Sequence, residues 1–360
     1  MRVLITGGGT GGHCTPAMAV AEALRSIDPS LELRYVGRSG GPESVLVPRA
    51  GLAFSGLSLG SMGSSPLTAT PRLLTRLPLA YRQAGREVSG FRPQVVLGTG
   101  GYVCVPVVLA ARRRRLPVVL LEQNRLPGRA INRLAPLASR IAVSFADTAE
   151  HLPPGRSVFT GNPVRAAFQR PSPGLPARPA VLVMGGSQGA RHLNQALVAA
   201  LPDLLRRLPE LEVTHLTGQG EEARVAAEAR GLGLDRDPRY RPLPFSDQVA
   251  ELAASSRLVV MRAGGSSLAE MACLGRPLVL VPYPHAGNHQ LANAEAFATA
   301  GAALLLEDSE LSPKRLAQLI LSVLTEEGRA EQMARASLTL ARPGAALEVA
   351  RLLLSTAAGA

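Results

Sequence analysis

The chain builds one short device twice. An apolar run, Val3-Leu-Ile-Thr6, leads into Gly7-Gly-Gly-Thr-Gly-Gly-His13 and then a helical stretch; in the second half Val181–Met184 leads into Gly185-Gly-Ser-Gln-Gly-Ala190 and another helix. Glycine lets backbone approach a ligand closely, and a helix start offers unpaired N–H groups and partial positive charge, so each unit is a cradle for an anion. Strands of this kind bury both faces only inside a parallel α/β sheet. Two cradles therefore predict two such sheets.

The surrounding pattern agrees. Strand candidates Val3–Thr6, Leu31–Val36, Val95–Leu97, Val118–Leu121 and Ile141–Val143 alternate with helical runs Pro16–Arg25, Val103–Arg113 and Ala130–Leu137. From Thr160 to Pro179 the alternation stops, and Pro163, Pro171, Pro173, Pro176 and Pro179 mark a linker. It restarts with strand Val181–Met184, helix Asn194–Arg207, strands Val213–Leu216 and Leu258–Met261, helix Leu268–Leu274 and strand Leu278–Val281. The expectation is α/β, with two doubly wound Rossmann-like domains over residues 1–163 and 164–341 facing a cleft. Pro343-Gly344 breaks the chain before a helix over about 345–356, expected to pack back on the first domain.

Composition narrows the partners. Hydrophobic residues form 46% of 360, enough for two cores, but aromatic residues form only 3% and Trp is absent. Nucleic-acid binding is not expected, because it needs aromatic stacking platforms. The net charge of +12 is lopsided: 19 basic and 8 acidic residues lie before Val164, against 20 and 19 from there on. A field of one sign in one half suggests an anionic partner there. Three scattered cysteines give neither a disulfide framework nor a zinc pattern. With a strand starting at Arg2 and no apolar run near the ~20 residues of a span, the protein is expected to be cytosolic or peripheral to a membrane.

Several positions carry chemistry. Gly7, Gly9 and Gly12 also satisfy the dinucleotide fingerprint, and Arg38 at the end of the second strand would suit a 2′-phosphate, so an NADP-dependent oxidoreductase is an alternative. It leaves the second turn unexplained. A third turn, Leu97-Gly-Thr-Gly-Gly-Tyr102, makes a shared anionic ligand the better account, with a diphosphate held by the first domain. His13 stands where a helix begins, and the positive helix end disfavours imidazolium, which suits a general base. Glu270, in Arg262-Ala-Gly-Gly-Ser-Ser-Leu-Ala-Glu270, can accept two hydrogen bonds from a vicinal diol such as ribose, or is an ordinary first-turn acid. His289-Gln-Leu-Ala-Asn293 offers amides to sugar hydroxyls. Asp235-Arg-Asp237 imitates a metal signature but reads as a solvated turn, so no metal is expected. Between Ser65 and Arg92, leucines alternate with Arg72, Arg76, Arg82, Arg86 and Arg92 around the single acid Glu87, a mixture suited to an anionic membrane surface or to a solvated basic helix face.

Gly7–His13, Gly100-Gly-Tyr102, Glu122-Gln-Asn124, Thr160-Gly-Asn-Pro-Val-Arg165, Gly185–Ala190 and His289-Gln-x-x-Asn-Ala294 stand in one order along nearly the whole chain. Together they resemble the MurG family, bacterial N-acetylglucosaminyltransferases that convert lipid I to lipid II in peptidoglycan synthesis. The resemblance implies the GT-B fold, with the lipid-linked acceptor on the first domain and UDP-GlcNAc mainly on the second. It implies that Thr10, Gly11 and Gly12 approach sugar or diphosphate, that His13 is the base with Glu122 as the other candidate, and that Asn124 and Gln290 contact GlcNAc hydroxyls. Arg165, Ser187 and Gln188 would meet the donor's nucleotide and phosphates. Gly265, Ser266, Ser267, Leu268, Ala269 and Glu270 would line the nucleotide site, Phe245 and Ser246 would flank uracil, and Gly100, Gly101, Tyr102, Arg72, Arg76 and Arg82 would serve acceptor and membrane. It further implies an inverting displacement without cofactor or metal, an undecaprenyl-diphosphate acceptor, peripheral attachment to the cytoplasmic membrane face, and cell-wall synthesis proteins as partners. A related enzyme glycosylating a diacylglycerol is the alternative within the fold. Leu121 replaces a common His, Cys104-Val105 a common Ser-Gly, and Gly265-Ser266-Ser267 the more usual Ala-x-Thr.

Overall fold

A computed structural model describes residues 1–9, 11–60, 66–169, 174–186, 189–284 and 288–359, without the side chains of 66–75. Thr10, Ser187 and Gln188 lie outside the described residues, as does the side chain of Arg72. The chain divides into two compact units, Met1–Arg165 with Arg342–Ala360, and Ala166–Ala341.

The first unit runs β1 (Arg2–Thr6), α1 (Gly11–Ile27), β2 (Glu32–Arg38), α2 (Glu43–Arg49), β3 (Ala53–Leu57), α3 (Pro66–Phe91), β4 (Val95–Gly98), α4 (Cys104–Arg113), β5 (Val118–Glu122), α5 (Arg129–Leu134), β6 (Arg140–Val143) and β7 (Ser157–Phe159). Its strands pair in parallel in the order β3-β2-β1-β4-β5-β6-β7. Alternate side chains enter two cores. Leu4, Val96, Leu120 and Ile141 join α3 and α4 on one face, while Val3, Ile5, Leu97 and Val119 join α1 on the other.

The second unit runs β8 (Ala180–Met184), α6 (Arg191–Arg207), β9 (Glu212–Leu216), α7 (Glu222–Gly231), β10 (Tyr240–Leu243), α8 (Val249–Ala254), β11 (Leu258–Met261), α9 (Gly265–Cys273), β12 (Leu278–Leu280), α10 (His289–Thr299), β13 (Ala303–Leu305), α11 (Pro313–Thr325) and α12 (Arg329–Leu340). Its parallel sheet has the order β10-β9-β8-β11-β12-β13. A final helix, α13 (Ala345–Ala358), belongs to the first unit, where Ala346, Val349, Ala350 and Leu353 join the core that holds α1.

Both sheets are doubly wound, and their order reverses between β1 and β4 and between β8 and β11. Ligands of such sheets bind outside the carboxyl ends of strands at this reversal. The structure adds strands that the periodicity does not single out: β3, β7, β10 and β13 are short edge or near-edge strands with weak alternation. It also corrects a helix start. The run expected from Pro16 begins at Gly11, because Pro16 falls inside a helix already under way.

Arg276 shows how the Pro-rich approach to β8 is held. It is 1% exposed, and it donates to the carbonyls of Leu274, Ala254, Ser256 and Gly174 at 2.8–3.2 Å. Burial lowers this guanidinium to about 10, still charged at neutral pH.

Candidate active site

In the first unit the pairing of β1 with β4 brings two glycine turns together that lie far apart in sequence. Thr99 joins them: its hydroxyl donates to the carbonyl of His13 at 2.9 Å, and its N–H to Thr6 at 2.8 Å. A Cβ on Gly7 would stand 2.0 Å from that hydroxyl oxygen. Tyr35, fully buried on β2, donates to the carbonyl of Gly7 at 3.1 Å. Tyr102 lays its ring on Gly9 and donates to Gly60 at 2.9 Å.

His13 lies in the first turn of α1 and is half-buried. Its ring fits against Gly100 and Gly101: a Cβ on Gly100 would meet Cδ2 at 3.0 Å and Nε2 at 3.2 Å, and one on Gly101 would meet Nδ1 at 3.4 Å. Both glycines have positive φ, 96° and 75°. Desolvation lowers the His13 pKa, against the upward pull of a hydrogen bond to the Gly8 backbone and of the nearby Glu43 charge. The ring is thus biased to be neutral and able to take a proton.

Glu122 ends β5 and is 1% exposed. Oε1 accepts from the N–H and the side-chain amide of Asn124 at 2.8 and 2.9 Å, and Oε2 accepts from the N–H of Gly128 at 2.7 Å. Burial raises its pKa and these hydrogen bonds oppose the rise. Both oxygens are occupied in shaping the segment that presents Asn124. Gln123 turns inward and donates to Thr99 at 2.8 Å. Arg165 is half-buried at the end of the first unit's main segment.

In the second unit, the Gly185 turn and the Gly265–Glu270 segment follow neighbouring strands β8 and β11. Glu270 is the sixth residue of α9, past its first turn, and 6% exposed, so it is not an ordinary first-turn acid. Ser266 is buried and Ser267 half-buried, while the Leu268 side chain is wholly in the core, leaving only its backbone for a ligand. Gln290, in the first turn of α10, uses Oε1 to accept from Ala263 at 3.2 Å and Tyr283 at 2.9 Å. That bridge joins the loops after β11 and β12. Phe245 is 49% exposed beyond β10, and the Ser246 hydroxyl accepts from Gln248 at 3.0 Å.

On α3, Arg76 and Arg82 are exposed, and Glu87 pairs with Arg34 at 3.3 Å. Asp237 gives both oxygens to Arg239 at 2.9 and 2.6 Å and Asp235 is exposed, so that pair closes a turn. Among the described residues no His, Cys, Asp and Glu cluster could hold a metal ion, and no helix is long and apolar enough to cross a membrane. The acid that sequence reasoning missed is Glu43, fully buried beneath the first turn; its one sequence signal is its place after the Gly40-Gly41 pair.

Comparison with known proteins places both units. The glycosyltransferase family 28 N-terminal domain matches residues 3–143, and its C-terminal domain matches 180–349. A relative from Halothermothrix orenii is 36% identical with all of both chains covered, and one from Symbiobacterium thermophilum is 40% identical over 99% of this chain and 96% of its own. Both are named UDP-N-acetylglucosamine--N-acetylmuramyl-(pentapeptide) pyrophosphoryl-undecaprenol N-acetylglucosamine transferase. The crystal structure of Acinetobacter baumannii MurG superposes with a TM-score of 0.75 at 28% identity, covering 98% of this chain and 99% of that one.

Proposed function

The chain belongs to glycosyltransferase family 28, in its MurG branch with the GT-B fold, and on that premise we propose how its residues divide the reaction. The enzyme transfers N-acetylglucosamine from UDP-GlcNAc to lipid I, giving lipid II for peptidoglycan. The full-length relatives displace the oxidoreductase alternative.

One observation carries the assignment of the base: the His13 ring sits in the β1–β4 switch point with its pKa lowered. A methyl on Gly101 would lie 2.2 Å from the Gly8 carbonyl oxygen and 3.4 Å from Nδ1. The hydrogen bond to the Gly8 backbone orients the ring. The imidazole takes the proton from the C4 hydroxyl of the N-acetylmuramoyl group as its oxygen attacks the anomeric carbon. The bond to UDP breaks on the opposite face, and the configuration inverts. The helix start of α6, with Ser187 and Gln188 before it, and Arg165 stabilise the charge developing on the leaving diphosphate.

Glu122, both of whose oxygens are engaged, presents Asn124 rather than serving as base. Asn124 and the Gln290 Nε2 meet GlcNAc hydroxyls, Glu270 the ribose, and Phe245 and Ser246 the uracil. Thr10, Gly11, Gly12, Gly100, Gly101 and Tyr102 form the acceptor side in the first unit, and Gly265, Ser266, Ser267, Leu268 and Ala269 the donor side in the second. Arg72, Arg76 and Arg82 bring α3 to an anionic membrane at its cytoplasmic face, where the undecaprenyl chain is embedded.

The test is transfer of labelled GlcNAc to a lipid I analogue and to a diacylglycerol, each with and without a chelator. Transfer to the lipid I analogue alone, undiminished by the chelator, is the expected result. Labelled diacylglycerol with no product from the lipid I analogue would refute the acceptor assignment.

A further inference from the structure

The reaction above makes no use of Glu43, the first residue of α2. Its Oε1 accepts the Arg38 N–H at 2.9 Å and Oε2 the Gly9 N–H at 3.3 Å. A Cβ on Gly8 would lie 2.3 Å from Oε1, one on Gly41 2.6 Å from Oε2, and one on Gly37 2.6 Å from the Glu43 Cγ. Three glycines from three segments make room for this one side chain. Burying a carboxylate costs several kcal/mol unless hydrogen bonds compensate it. An apolar residue would fill the space more cheaply but would leave two inward N–H groups unpaired.

The Gly9 N–H and the Gly8 carbonyl are the two ends of one planar peptide. Glu43 holds the N–H end, and His13 hydrogen-bonds to the Gly8 end. Glycines at φ 145° and 86° flank this peptide, so it is a link whose rotation side chains do not restrain. We propose that Glu43 is a positioning residue for the transfer, holding the Gly8–Gly9 peptide so that its carbonyl fixes the tautomer and place of the His13 ring. The relay runs from carboxylate through peptide to imidazole, and it rests on the reading of His13 as base.

Glu43→Gln keeps the volume. With its oxygen on Arg38 N–H, its amide N–H₂ faces the Gly9 N–H, two donors in opposition, and the peptide turns away. Turnover is expected to fall about 10- to 100-fold, the scale of a small misplacement of a reacting group, with UDP affinity unchanged. The acid limb of kcat/KM should move to lower pH, because a negative charge near the ring and the carbonyl acceptor are both lost. The other buried acids in this cluster, Cys14 and Tyr35, do not supply that charge; burial raises the pKa of Cys14 to about 12 and that of Tyr35 well above its ordinary value.

The decisive readout is the double variant. On a His13→Ala background, Glu43→Gln should cost no further turnover, whereas a merely structural defect would add its own loss. If Glu43→Gln does not fold, Glu43→Asp takes its place in the same cycle: the shorter acid keeps the charge, so the acid limb moves less than in Glu43→Gln while turnover falls. A folded Glu43→Gln or Glu43→Asp enzyme with wild-type turnover, or additive losses in the double variant, overturns the relay. Full turnover in His13→Ala alone overturns the base assignment beneath it, a separate outcome.

Discussion

At the first glycine turn, side chains from three other elements press on the backbone: Tyr35 from β2, Glu43 from α2, and Thr99 and Tyr102 from the turn after β4. At the second, Gly185 lies against Ala190 and Gly189 against the Thr217 carbonyl, while a Cβ on Gly186 would meet nothing within 4 Å among the described residues. Both turns follow the first strand of a sheet and precede its first helix. The one is packed from behind, as the proposed base at His13 requires. The other leaves more of its described backbone open. A shared local motif thus stands in two different surroundings.

The sharpest way to break this contrast is His13→Ala. It should reduce turnover by about 10²-fold or more while leaving UDP-GlcNAc affinity nearly intact; steady-state kinetics beside a UDP titration reads both. Normal turnover would remove the first turn from the chemistry.

Paired glycine substitutions test the packing itself. Gly101→Ala would put a methyl 2.2 Å from the Gly8 carbonyl at positive φ, and should cost about 3 kcal/mol and most of the turnover. Gly186→Ala meets only the backbone penalty of about 1–2 kcal/mol, and should raise KM for UDP-GlcNAc more than it lowers kcat. Equal losses of stability in thermal melts would erase the distinction between the turns.

The two histidines of this comparison also differ. His215 lies in the second unit's core, its Nδ1 2.9 Å from the Tyr240 hydroxyl and Nε2 3.0 Å from the Asn194 Oδ1, and burial lowers its pKa to about 3. Its folded pKa is below the unfolded value, so the stability it supports is present above pH 6.5 and lost as pH falls toward 3. Unfolding free energy should fall there with a contribution of up to about 1.4 kcal/mol per pH unit. His215→Gln should flatten that slope without moving the acid limb of turnover, which the proposed base assigns to His13.

The smallest effect is expected at the surface. Reversing the charge of Arg76 and Arg82 should weaken binding to anionic vesicles by a few-fold per residue, about 1 kcal/mol each, and added salt should abolish the difference. Salt-independent binding, equal to wild type, would place the membrane contact elsewhere.

Much of this was legible in the residues. Buried parallel strands read as short β-branched runs, and glycine turns announce helix starts, because both signals are local: Val95–Gly98 and Leu258–Met261 stand nearly where their sequence puts them. His13 and Glu270 stand out in the sequence because each stands beside such a turn. Edge strands such as Ala303–Leu305 were not, since a three-residue strand takes its identity from its neighbour in the sheet rather than from its own pattern. The sequence alone determined the two sheets, the order of their parts and the reaction class carried by the motifs. Tertiary structure alone decided that Glu122 turns both oxygens to its own loop, that the Gln290 Oε1 bridges Ala263 and Tyr283, and that Glu43 stands under the Gly8–Gly9 peptide. Those facts depend on hydrogen-bond partners that β-sheet pairing and packing bring together, and no local pattern in the chain records which donor a buried carboxylate will meet.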